Sequence, residues 1–312
     1  MAFDPATLFA NGEVGLIYEI RDISTLFQDA EGAIPVTADG QPVGKILDKS
    51  GNGYHATQSV ASKRPTYRDV DGVQWIEFDG IDDFLQFPNH PFTFTGGITV
   101  LSAFSKIGSF NIYETLFAAG TTGNRDANRE KSMAFQIGNN IILGNNRPHL
   151  ATDIWTPSGV KGSTTIIAES DLVASWNTPN WSTHRTQGNI KIRLDGADET
   201  VSPYNNDDPV SLNSGPAYIG VFDNSVLASS LFQGKIYGLI VRGITSTAQE
   251  VTDTEEYLTA LTVPAVEPDP IVDIIVQNNG TIYLQAGVST IQLNAGVNSI
   301  KLNPGSSSIY LH

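Results

Sequence analysis

The acidic run Glu77-Phe78-Asp79-Gly80-Ile81-Asp82-Asp83 is the first place where this chain could do chemistry. In an extended strand, residues two apart leave on the same side, so Glu77 and Asp79 share a face. Two carboxyl groups on one side of a rigid strand are the equipment of glycoside hydrolysis, one as nucleophile or base and the other as acid. Hydrolysis needs that strand to continue, and Gly80 turns the chain right after Asp79. The same stretch offers hard oxygen ligands. Asp79 and Asp82, together with Asp48 upstream, are candidate ligands of a structural Ca2+, with Asn52 and Asp83 as further oxygen donors at turns. There is no EF-hand spacing. The alternative use of these residue types is the Asx turn, in which the side chain bonds its own backbone. His55, within Gly51-Asn52-Gly53-Tyr54-His55, reads as a packed or turn residue rather than a metal ligand.

Two polar, aromatic stretches offer a different chemistry. Sugars are held by stacking on aromatic rings while amides, carboxylates and guanidinium groups take the hydroxyls. Trp176-Asn177-Thr178-Pro179-Asn180-Trp181-Ser182-Thr183-His184-Arg185 carries both kinds of group, and Tyr204-Asn205-Asn206-Asp207-Asp208 repeats the combination. Trp176 ends a strand and belongs to the core. The candidate ligand-binding residues are therefore Trp181, His184, Arg185, Tyr204, Asn206 and Asp207. Asn124 to Glu130 reads as a solvated turn. No nucleophile elbow, phosphate loop, His-Glu-x-x-His or dinucleotide fingerprint occurs, so no catalytic residue is assigned and the chain reads as a non-enzyme.

Composition narrows the partners. A net charge of −15 and a pI near 4.6 disfavour nucleic acid and anionic membrane, although an acidic surface also serves plain solubility. The chain has no cysteine, which removes disulfides and thiolate metal sites. Its N-terminus lacks a basic region followed by an apolar one, and no apolar run reaches the roughly 18 residues of a membrane helix. The expectation is a product made in a cytoplasm. With 40% hydrophobic and 16% charged residues in 312, it can bury one large core with a small appendage.

The elements that must position these residues are strands. Ile98 to Phe104, Tyr113 to Ala118, Ser132 to Ile137, Ile141 to Leu143, Thr164 to Ala168 and Leu172 to Trp176 form a series punctuated by Gly and Asn. Asn189 to Gly196, Ala217 to Phe222 and Lys235 to Val241 complete it. Asp195-Gly196 is a hairpin signal. Many short strands at regular spacing mean an all-β sandwich or jelly roll. One helix should follow, with Thr247 as N-cap, Glu250 closing a capping box, and Val251, Glu255, Leu258 and Leu261 at helical spacing.

Specific strings sharpen this. Asp48-Lys49-Ser50-Gly51-Asn52-Gly53-Tyr54-His55-Ala56, followed by Phe78-Asp79-Gly80-Ile81-Asp82-Asp83-Phe84-Leu85, resembles the concanavalin A-like, laminin-G-like jelly-roll domains. Phe232-Gln233-Gly234-Lys235-Ile236 is similar to the strand that closes them. The resemblance implies a jelly roll over residues 47–262 and raises the case for calcium, since such domains often carry one. Glu77 to Asp82 is also similar to the carboxylate strand of jelly-roll glucanases, but the third acidic position is Asp here. The leader, residues 1–46, with Thr7-Leu8-Phe9-Ala10-Asn11-Gly12, Asp22-Ile23-Ser24-Thr25-Leu26-Phe27 and Pro35-Val36-Thr37-Ala38-Asp39-Gly40, resembles segments preceding such modules in tailed-phage, prophage or gene-transfer-agent-like virion proteins. It is expected to lie along the sandwich edge with Leu8, Phe9, Leu26 and Phe27 as anchors.

Residues 263–270 form a Pro-rich linker. Beyond it, Thr281-Ile282-Tyr283-Leu284, Thr290-Ile291-Gln292-Leu293, Ser299-Ile300-Lys301-Leu302 and Ser308-Ile309-Tyr310-Leu311 recur every nine residues, so 271–312 reads as a repeat-built β tail. One strand and one turn per copy cannot bury its own Ile/Leu face. The tail is expected to assemble chains, as a trimer, or alternatively to fold as hairpins against its own domain. The resemblance then implies a spike or fibre on a virion surface. Its partners would be a host cell-surface polysaccharide and other virion proteins. The alternative is a decoration protein of capsid or tail making only virion contacts, with glucan hydrolysis third.

Overall fold

A computed structural model of the chain describes residues 3–92, 97–108, 114–120, 132–139, 148–156, 159–166, 171–178, 191–198, 215–222, 230–265, 282–284 and 300–302. In chain order the first strands are β1 (Gly15–Glu19), β2 (Leu26–Phe27), β3 (Lys45–Ile46), β4 (Ala56–Thr57), β5 (Thr66–Val70), β6 (Val73–Asp79) and β7 (Leu85–Phe87). Then come β8 (Ile98–Lys106), β9 (Glu114–Ala119), β10 (Ser132–Asn139), β11 (Pro148–Thr156), β12 (Gly159–Ile166) and β13 (Asp171–Thr178). The series ends with β14 (Lys191–Leu194), β15 (Ala197–Asp198), β16 (Ala217–Ile219), β17 (Gln233–Arg242), the helix α1 (Ala248–Leu261), β18 (Ile282–Leu284) and β19 (Ile300–Leu302).

Two antiparallel sheets enclose one core. The first runs β15-β14-β13-β8-β17-β6-β5, and the second β12-β11-β10-β9-β16-β7-β4-β3-β2. β17 is the axis of the first sheet. It pairs with β8 along its length, while its other side takes β6 at the start and β1 at the end. The two inner faces meet in Ile76, Phe78, Val100, Phe104 and Ile236 from one sheet and Leu85, Phe87, Phe117, Phe135 and Ile219 from the other. Apolar burial at roughly 25 cal/mol per Å2 is what holds the layers together.

The first 46 residues are woven into this sandwich, because β1 joins the first sheet and β2 and β3 form an edge of the second. Leu8, Phe9 and Leu26 are buried, and Phe27 is half-buried. The helix begins at the expected capping box, with Thr247 accepting from the Glu250 N–H and the Glu250 carboxylate accepting from the Thr247 N–H. It buries Val251, Glu255, Leu258 and Leu261. The Asp195-Gly196 turn has positive φ at both residues, 47° and 78°, which is the two-residue hairpin geometry that joins β14 to β15. β11 had no counterpart in the strand series read from sequence, whereas Ile141 to Leu143 lies outside the described residues.

By contacts the chain divides into Met1–Pro264 and Ala265–His312, inside the Pro-rich stretch. In the second unit β18 and β19 pair in parallel, Ile282 opposite Ile300 and Leu284 opposite Leu302. Among the described residues, no helix is long and apolar enough to cross a membrane.

Candidate functional site

The acidic turn forms where β6 leaves the first sheet and the chain crosses to β7 in the second. Gly80 has φ +74°, and a Cβ there would stand 2.7 Å from the Gln233 Cβ, so only glycine fits. Asp79 Oδ1 accepts from the Ile81 N–H at 2.7 Å and the Asp82 N–H at 3.3 Å. Asp83 Oδ2 accepts from the Asp79 N–H at 3.0 Å. One carboxylate oxygen each from Asp79, Asp82 and Asp83 lies within 4.8 Å of the others. Burial pushes the Asp83 carboxyl up to about 7; the Asp79 N–H bond opposes this, and the Asp79 and Asp82 charges add to it.

Glu77 is engaged differently. Its Oε2 accepts from Trp75 Nε1 at 3.2 Å and lies 3.7 Å from Arg68 Nε. Lys235 Nζ stands over the Trp75 ring, 4.3 Å from its centroid. The expected carboxylate pair is thus present on one strand, with Glu77 held by neighbouring side chains and Asp79 closing an Asx turn.

Asp48 departs from the expected calcium set. Its Oδ1 accepts from the Ile17 and Ser50 N–H groups, both at 2.9 Å. Its Oδ2 accepts from the Tyr54 N–H at 3.0 Å and lies 2.8 Å from Ser50 Oγ. The buried carboxylate thus has four donors on it, and the acidic group that lies together at the turn is Asp79, Asp82 and Asp83. The whole Asp48–His55 block is a clamp on β1. Lys49 N donates to Ile17 O at 3.0 Å, and Asn52 Nδ2 donates to Glu13 O and Gly15 O, both at 3.0 Å. The Tyr18 hydroxyl donates to Tyr54 O, and His55 Nδ1 accepts from the Asp48 N–H at 2.9 Å. These bonds satisfy backbone groups that β1 would otherwise expose at its free edge.

Trp181, His184, Arg185, Tyr204, Asn206 and Asp207 lie outside the described residues, but the strands that precede them in the chain, β13 and β15, are described. β14 pairs antiparallel with β13, Lys191 opposite Asn177, and with β15, Arg193 opposite Asp198. The end of β13, the start of β14 and the end of β15 therefore lie at one end of this sheet edge. Arg193 pins the edge to α1. Its Nε donates to both Glu255 oxygens at 3.0 and 3.1 Å, and its Nη1 donates to Asp198 Oδ1 at 2.6 Å. Sequence reasoning placed Glu255 at helical spacing with Val251, Leu258 and Leu261 and passed over Arg193, because nothing local pairs residues so far apart in the chain.

No family model and no curated protein sequence matches this chain. Its fold is similar to part of several solved enzymes. A GH54 α-L-arabinofuranosidase soaked with a cyclic sulfate inhibitor matches with TM-score 0.55 and 14% identity, over 83% of this chain and 66% of that one. An arabinofuranosidase complexed with arabinofuranosyl-α-1,2-xylobiose matches with TM-score 0.52 and 13% identity, over 83% and 65%. Trypanosoma rangeli sialidase in complex with 2,3-difluoro-KDN matches with TM-score 0.50 and 11% identity, over 80% and 33%. The chain thus spans about two thirds of the arabinofuranosidases and one third of the sialidase, and the likeness is one of fold.

Proposed function

We propose that this chain is a non-catalytic carbohydrate-binding protein. In this reading it is a spike or fibre of a tailed-phage or related particle that binds a host cell-surface polysaccharide through a laminin-G-like jelly roll. The observation that carries the reading is the shared origin of the two sugar-suited segments. The strand ends from which the chain runs on toward Trp181, His184 and Arg185 (β13) and toward Tyr204, Asn206 and Asp207 (β15) lie at the same end of the β13–β14–β15 edge. Two solved structures with a similar fold are arabinofuranosidases held with sugar ligands or inhibitors, which is compatible with a sandwich in the service of glycans. The local engagement of Glu77 and Asp79 supports binding over hydrolysis, since neither carboxylate is left to face the other across a groove.

The virion role rests on the leader and clamp strings of the sequence. The tail would assemble chains, as a trimer, and multiply weak sugar contacts by avidity. The parallel offset of β18 and β19 by two nine-residue repeats supports a repeat-built tail. A Ca2+ held by Asp79, Asp82 and Asp83 would stiffen the turn between the sheets.

The test is binding of the purified protein to host cells with and without their surface polysaccharide. Saturable binding that disappears with the polysaccharide and falls at least about tenfold in Trp181→Ala, the loss of one stacking contact, supports the reading. A folded protein that ignores the polysaccharide overturns it and leaves the decoration role.

A further inference from the structure

The outer face of the first sheet turns polar beyond its apolar layer. That layer is built where Leu8, Leu258 and Leu261 cluster with Leu101, Tyr237 and Ile240. Along β5, β6 and β17, Tyr67, Ile76, Phe78 and Ile236 point into the main core. By the period of two, Thr66, Arg68, Glu77 and Lys235 therefore leave on the outer side. Glu77 stands between Thr66 and Lys235 across three adjacent strands, and Arg68 stands opposite Trp75. None of these four is buried, and the Arg68 and Glu77 side chains are each 35% exposed.

One buried ring organises the charged heads. Trp75 Nε1 donates to Glu77 Oε2 at 3.2 Å, and Lys235 Nζ stands 4.3 Å from the centroid of the same indole. Arg68 Nε lies 3.7 Å from Glu77 Oε2, and Arg68 Nη1 lies 3.6 Å from Asp39 Oδ2. Both Arg68 contacts are longer than a hydrogen bond, and its Nε is buried without a hydrogen-bond partner among the described residues. Among the same residues, the contact of Lys235 Nζ is the indole face. Two cations and a carboxylate are thus held in place with most of their hydrogen-bonding capacity unused. Partly exposed ion pairs add little to stability, so stability alone does not account for fixing three long side chains around one ring. Groups ordered in advance on rigid strands instead lower the cost of holding a ligand.

The balance of these groups selects the ligand. Arg68 and Lys235 bring donors, while Glu77 and Asp39 bring acceptors. The four charges cancel, and a chain with a net charge of −15 gives an anion no further attraction. A sugar hydroxyl both donates and accepts, which matches such a mixed set. The patch spans two strand spacings, about 10 Å, by two residues of rise, about 7 Å, the footprint of a disaccharide.

We propose that the patch of Arg68, Glu77 and Lys235 around Trp75 binds an uncharged disaccharide unit of a polysaccharide. Arg68 and Lys235 donate to hydroxyl oxygens, and Glu77 accepts from a hydroxyl. Trp75 is a positioning residue that holds Lys235 and Glu77. The patch lies toward the β5 edge, at the other side of the sheet from β13–β15. This rests on the glycan-binding reading above and adds a second place for it.

The experiment measures the affinity of the full chain for xylo-, arabino- and gluco-oligosaccharides by calorimetry. The proteins are wild type, Arg68→Met, Glu77→Gln, Lys235→Met and Trp75→Phe, each with its thermal midpoint. Methionine keeps the apolar stem of the long cations and removes only the charged head. The expected result is a loss of about tenfold or more in Glu77→Gln and Arg68→Met, the effect of one hydrogen bond to a charged group, with the thermal midpoint hardly moved. Lys235→Met and Trp75→Phe are expected to weaken binding in the same direction. A merely structural cluster would lower the midpoint and leave affinity unchanged. If a sugar binds and all four variants keep its affinity, the patch is overturned and the glycan-binding reading stands. If folded wild type binds no uncharged sugar, the patch is again overturned, and cell binding in the test above shows whether the broader reading survives. Tighter binding of uronic-acid oligosaccharides, lost in the same variants, would overturn the uncharged ligand. Should Trp75→Phe fail to fold, the three surface variants decide the matter.

Discussion

The outer faces of the two sheets are built on opposite principles. That of the first sheet is apolar and sealed where Leu101, Ala103, Tyr237 and Ile240 lie under Leu8 and Phe9 from the N-terminal segment and under Val251, Leu258 and Leu261 of α1. Gly238 lets the helix approach, because a Cβ there would stand 2.8 Å from Leu261 Cδ1 and 3.0 Å from Leu258 Cδ2. On the second sheet the outer face carries alanines, Thr115 and Gln136, with half-buried Gln86 and Thr57 further along it. Both faces are closed to solvent at these positions, since Ala118, Ala134, Thr115 and Gln136 are all buried, but one is filled with large apolar groups and the other with small and polar ones.

Truncating the seal breaks this contrast most strongly. Leu258→Ala, at a fully buried position, is expected to cost about 3 kcal/mol in denaturant unfolding. Next comes the turn that joins the two sheets. The Asp83 carboxyl is raised from the ordinary 3.8 to about 7. Between about pH 4 and 7 the folded chain therefore holds a proton that the unfolded chain has released, so stability falls as pH rises through that window and levels off above it. Asp83→Asn should flatten that slope relative to wild type. Ca2+ on the three carboxylates would act in the opposite sense, so millimolar Ca2+ at pH 8 should raise the thermal midpoint of wild type more than that of Asp82→Asn.

The Arg193–Glu255 pair ties the β14–β15 hairpin to the sealing helix. Glu255→Gln is expected to cost about 2 kcal/mol, below the figure for a fully buried pair because Arg193 is partly exposed. It should also weaken polysaccharide binding by loosening the edge. The smallest effect belongs to the second face, where Gln86→Ala, half-buried at the surface, should change stability by no more than about 0.5 kcal/mol. A larger loss there would mean that the second face is packed as closely at Gln86 as it is at Ala118 and Ala134.

Much of the fold was legible in the residues. β8 reads Ile-Thr-Val-Leu-Ser-Ala-Phe-Ser and is buried at every one of these positions, because the core lies on one side of it and the helix layer on the other. The Thr247–Glu250 box and the Asp195-Gly196 turn are local chemistry and formed where their residue types require. β11 escaped notice for a physical reason. Its Ala, Thr and Asp dilute the alternation that Leu150, Ile154 and Trp155 would otherwise announce.

By itself the sequence determined the strand-rich class, the one capped helix, the tight turns and the absence of thiol chemistry. Each of these depends on neighbours within a few residues. Only the tertiary structure decided that Asp48 clamps β1 while Asp83 joins Asp79 and Asp82, and that Arg193 reaches Glu255. Nor could the residues alone reveal that Gln136 is buried opposite Thr115 and bonds its hydroxyl. These are pairings between distant segments, set by sheet order and register, and a local pattern carries no record of which strand will lie beside it.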